Sequence, residues 1–71
     1  MSYEELMKKV KEAIKAQHPE VDVDKLDQIY SSRMMEIQRV IMQSTEADVL
    51  YSVTINMLED SVRVKTYVAQ L

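Results

Sequence analysis

Apolar residues recur at three- and four-residue steps over the first part of the chain. Tyr3, Leu6, Met7, Val10, Ala13 and Ile14 form one stripe, the spacing that puts side chains on a single face of an α-helix. Ser2 and Glu5 stand at capping-box spacing at its start. Pro19 ends it, because the residue before a proline is driven out of the helical region. The pattern predicts a helix from Ser2 to about Gln17. Its other face carries the pairs Glu4–Lys8, Glu5–Lys9 and Glu12–Lys15, ordinary support for a solvated helix.

A second stripe consists of Leu26, Ile29, Tyr30, Met34, Ile37, Val40 and Ile41. Asp22 or Asp24 can cap it, and Asp27 stands in the first turn, where the helix dipole favours an anion. This spacing predicts a second helix reaching Gln43. Arg33 falls inside the stripe, where it snorkels or pairs with an acid. Ser44 to Asp48 reads as a break and restart, with Thr45 and Asp48 again at capping-box spacing.

The last segment, Glu46–Leu71, fits two periods. As strands, Val49, Tyr51, Val53, Ile55 and Met57 alternate, as do Val62, Val64, Thr66 and Val68. A two-residue loop at Glu59-Asp60 would pair Met57 with Val62, Ile55 with Val64 and Tyr51 with Val68. As one helix, Asp48, Ser52, Asn56, Glu59, Arg63, Thr66 and Gln70 form an unbroken polar stripe. Opposite it lie Val49, Leu50, Val53, Met57, Val64, Tyr67, Val68 and Leu71, with Asp60 as an intruder. Turn chemistry favours the helix. A two-residue hairpin loop wants positive φ, hence glycine or asparagine, and Glu-Asp supplies neither. The expected fold is all-α: a three-helix domain, residues 1–71, built on a long antiparallel helical hairpin. The alternative is α+β, with two helices packed on a C-terminal β-hairpin.

Composition narrows the function. A chain of 71 residues is one small domain, for which good packing or oligomerisation supplies the margin of stability. There is no cysteine, so disulfides, thiolate metal sites and cysteine nucleophiles are excluded. There is no glycine, which removes phosphate-cradling loops and nucleophile elbows. The net charge of −3 argues against a nucleic-acid binder. No apolar run is long enough to span a membrane, and the N-terminus lacks the pattern of a signal peptide. A cytoplasmic location is the expectation.

No residue pattern points to catalysis, a cofactor or a metal. The run Glu20, Asp22, Asp24 and Asp27 fails as a calcium loop, because counting from Asp22 puts Asp27 at the glycine position and Arg33 at the glutamate position. It reads as capping. His18, the one histidine, reads as a solvated helix end. Ser31, Ser32, Ser44 and Thr45 lack a base and an oxyanion hole. Lys8, Lys9, Lys11 and Lys15 are interleaved with Glu4, Glu5 and Glu12 and read as a solvated face.

What stands out is surplus apolar surface. Tyr51, Ile55, Leu58, Val62 and Ala69 make a heptad-like seam on the third predicted helix, and Met35 and Met42 lie off the main stripe of the second. The expected function is a non-enzymatic protein–protein interaction module: an adaptor, small chaperone or inhibitor. It would dock Met35, Met42, Tyr51, Ile55, Leu58 and Val62 into a protein partner, as a homodimer or hetero-complex of coiled-coil or helical-bundle type. In length and layout the chain is similar to small bacterial secretion chaperones and phage-encoded inhibitor proteins, a likeness that carries over no residue position. The alternative function is a small DNA-binding regulator with the second or third predicted helix as its recognition helix, where Arg33, Arg39, Arg63 and Lys65 would supply the basic face.

Overall fold

The computed structural model describes residues 2–68. Helix α1 runs over Tyr3–Gln17, and the Ser2 side chain accepts from the Glu5 backbone N–H at 3.2 Å, as the capping-box spacing predicts. His18 closes the helix, its N–H bonded to the Ile14 carbonyl. Asp22 caps one short 3-10 turn, Val23–Lys25, by accepting from the Asp24 N–H.

From Leu26 to Val68 the chain is a sheet. Four antiparallel strands, β1 (Leu26–Met34), β2 (Ile37–Ser44), β3 (Val49–Asn56) and β4 (Ser61–Val68), follow in sequence order as a meander. The all-α expectation is therefore overturned. There is no helical hairpin, and the terms helical bundle and coiled coil do not describe the molecule. The segment expected as the second helix is the β1–β2 hairpin. The α+β alternative has the class right, but with one long helix and four strands in place of two helices and two strands. Ala69, Gln70 and Leu71, which the helical reading placed on its seam and stripes, lie outside the described residues.

Turn chemistry explains the difference. The β3–β4 loop has four residues, Met57 to Asp60, and needs positive φ only at Asp60 (φ 52°). The β2–β3 loop, Thr45 to Asp48, has the same device at Asp48 (φ 51°). Aspartate is among the few residues that visit this region readily. The Asn56 carboxamide oxygen also accepts from the Leu58 and Glu59 N–H groups, an Asx turn that starts the loop. Because the loop is longer than expected, the register moves by two residues: Ile55 faces Val62, Val53 faces Val64 and Tyr51 faces Thr66. A shift of two leaves every side chain on its expected face. The two-residue β1–β2 loop puts Met35 itself at φ 56°.

The helix and one face of the sheet make the core. Val10 and Ile14 are fully buried against Val40, Met42, Tyr51, Val53 and Ile55, with Leu26 at the margin. Leu6, Met7, Ala13, Val62 and Val64 pack around them. Each fully buried aliphatic side chain contributes about 1.5–3 kcal/mol. Polar ties hold the helix over the sheet. Lys9 Nζ bonds Asp60 at 2.9 Å, Lys11 Nζ bonds Asp24 at 3.3 Å, and Tyr3 donates to Gln28. His18 is half-buried rather than solvated. Its Nε2 lies 3.0 Å from Thr66 Oγ1 and its ring stands edge-on to Tyr51, with centroids 5.4 Å apart.

Candidate functional site: the open face of the sheet

The six residues of the expected partner surface do not share a surface. Met42, Tyr51 and Ile55 point into the core. Val62 packs half-buried against it. Met35 and Leu58 are exposed, at 82% and 81%, but occupy two different loops. Tyr51, Ile55, Leu58 and Val62 looked collinear only at a helical period. At a period of two, Tyr51 and Ile55 fall on the face that α1 covers.

The opposite face has no layer over it among the described residues. Strand registers arrange it in four rows running from β1 to β4. The first is Asp27, Gln43, Leu50 and Tyr67; the second is Tyr30, Ile41, Ser52 and Lys65. The third is Ser32, Arg39, Thr54 and Arg63; the fourth is Met34, Ile37, Asn56 and Ser61. A bulge between Gln28 and Tyr30 turns Tyr30 onto this face. Simple alternation from Leu26 would have turned it inward.

The middle rows concentrate positive charge. Arg39, Arg63 and Lys65 are exposed there, and none has a carboxylate partner among the described residues. Arg39 Nε donates to Ser52 Oγ at 3.1 Å, which lays the guanidinium across the face and satisfies the buried hydroxyl. Lys65 Nζ lies 5.5 Å from the centre of the Tyr67 ring, a cation–π contact. Tyr30 and Tyr67 mark opposite edges of the face, about half exposed. Arg33, the fourth cation of the DNA-binding alternative, does not join them; its row is the inner one and its Nε bonds the Met35 carbonyl.

Acids lie elsewhere. Asp27 sits at one corner and Glu59 borders a shallow depression beside Arg63. Asp60, Asp24, Glu20 and Glu46 are within ion-pairing distance of Lys9, Lys11, His18 and Lys25. The Lys9 hydrogen bond, then its charge, holds the Asp60 carboxyl below the usual carboxylate range. A helix is about 10 Å across, more than the Debye length of about 8 Å at physiological salt. Acids on the solvent side of α1 therefore do little to cancel the field of Arg39, Arg63 and Lys65. A chain of net charge −3 thus presents a locally cationic surface.

A second concavity, about 800 Å³, runs between the flank of α1 and the start of β1. Met7, Leu26 and Met42 are among its lining residues, and the Tyr3–Gln28 and Lys11–Asp24 contacts join its two walls. Its charges are mixed. Among the described residues no group of three or more histidine or acidic side chains is placed to hold a metal ion, and no helix is long and apolar enough to cross a membrane.

The cationic face is partly legible at period two, since Arg63, Lys65 and Tyr67 alternate along β4. What the linear pattern lacks is the pairing that brings Arg39 beside them. Comparison with protein-family models, curated proteins and solved structures finds no match to this chain.

Proposed function

We propose that this protein is a small non-enzymatic binding module that acts in the cytoplasm, and that its working surface is the open face of the sheet. Its partner is an anionic macromolecule. The observation that carries the reading is that three exposed cations without carboxylate partners among the described residues, Arg39, Arg63 and Lys65, gather in adjoining rows of one open face of an acidic chain. Unneutralised charge on a flat surface raises the encounter rate with an oppositely charged partner and sets its orientation. The test is a backbone-amide NMR titration with long-chain polyphosphate at low salt. Shifts centred on Arg39, Ser52, Arg63 and Lys65, lost in an Arg63→Glu/Lys65→Glu variant, support it. Shifts at Lys8, Lys11 and Lys15, or none, remove it.

A second reading keeps a protein partner, including a second copy of the chain. What supports it is the β1 edge, where Ile29, Tyr30 and Met34 are exposed. An edge strand offers unpaired backbone groups to another strand. Sedimentation that shows a concentration-dependent dimer, abolished by proline at an edge position, favours this reading over the first.

A further inference from the structure

Building on the anionic-partner reading, we infer that the open face binds single-stranded nucleic acid, laid across the strands between Tyr30 and Tyr67. The two tyrosines stand on the outer strands of the sheet, separated by three strand spacings, about 14 Å. Ile41, Ser52 and Leu50 lie between them; Lys65 ends the row of Tyr30, and the adjoining row, on the side away from Tyr67, adds Arg39 and Arg63 for the phosphates and Ser32 and Thr54 as hydrogen-bonding groups. Charge complementarity alone would admit any polyanion. The aromatic pair makes the difference, because an unpaired base has a π-face to stack and an acidic peptide or polyphosphate does not.

The local geometry suits that occupant. Arg39 is held across the face by Ser52, so little side-chain entropy is lost when it meets a phosphate. Arg63 and Lys65 are neighbours on one side of β4, about 7 Å apart along the strand. The Lys65 ammonium over Tyr67 can turn to a phosphate and leave that ring open to a base. A duplex keeps its bases stacked inside, out of reach of tyrosines on a sheet surface, so the face selects single strands.

Fluorescence anisotropy on the full chain tests this, with labelled oligothymidylate and oligouridylate of about ten nucleotides. Three phosphate contacts give a logarithmic salt slope of about −2, or roughly a 20-fold loss of affinity from 50 to 200 mM salt. Tyr30→Ala and Tyr67→Ala should each weaken oligonucleotide binding about ten-fold or more. Both should leave polyphosphate binding unchanged, and Tyr30→Phe and Tyr67→Phe should retain oligonucleotide binding. Unchanged circular dichroism shows that the alanine variants are folded; if they are not, the phenylalanine variants and base-stacking quenching of tyrosine fluorescence decide. Polyphosphate binding with oligonucleotides no tighter and tyrosines indifferent overturns the inference and leaves the anionic surface standing. Equal or tighter binding of a duplex also overturns it. Loss of both ligands removes the surface reading as well.

Discussion

Met35→Gly separates the observed hairpin from the helix that the apolar pattern suggests, because the two predict opposite signs. Met35 is the first residue of the two-residue β1–β2 loop, at φ 56°, and its side chain is 82% exposed. Holding a residue with a Cβ in the left-handed region costs about 1–2 kcal/mol, a cost glycine avoids. Glycine gives back about 0.5–1 kcal/mol through the greater freedom of the unfolded chain. The exposed side chain loses almost no packing. The net expectation is a gain of about 0.5–1 kcal/mol. With a urea slope of about 1 kcal/mol/M for a domain this small, the midpoint should rise by about 0.5–1 M. In a helix interior the same substitution would cost about 0.8–1 kcal/mol and lower the midpoint by a similar amount. Met34→Gly is the control: Met34 is the last residue of β1, where glycine weakens the strand. A midpoint that falls or stays put in Met35→Gly refutes the strain argument.

Ile55 is fully buried on β3, so Ile55→Ala should cost about 2–5 kcal/mol, visible as a collapsed urea midpoint; near-wild-type stability would contradict its place in the core. The lowered pKa of Asp60 implies a contribution fully present above its unfolded value and lost as pH falls through the folded one. Asp60→Asn should therefore flatten the acid side of the stability–pH curve, and Lys9→Ala should return the Asp60 carboxyl, followed by NMR, toward its ordinary range. An Asp60 titration unmoved by Lys9→Ala would show that this contact does not form in solution.

Self-contained local signals in this chain suffice for the elements they govern. The Ser2–Glu5 spacing, the apolar stripe through Ile14 and the stop at Pro19 determine α1, since capping and chain stiffness act within a few residues. The absence of cysteine and glycine likewise bounds the chemistry without any knowledge of shape. From Leu26 onward the same sequence satisfies two periods, because β1 to β4 carry apolar residues on both faces: Ile41 and Leu50 outside, Met42 and Tyr51 inside. Turn propensity weighed against the hairpins because Asp48 and Asp60 reach positive φ at the ends of four-residue loops, and Asn56 supplies the bonds a short loop would lack. What resolves the ambiguity is not local. The stripe of α1 needs a broad apolar surface, and the inner rows through Val40, Val53 and Val64 supply it. The open face has the same origin. Arg39 is more than twenty positions from Arg63 and Lys65, and only the register of β2, β3 and β4 brings them together.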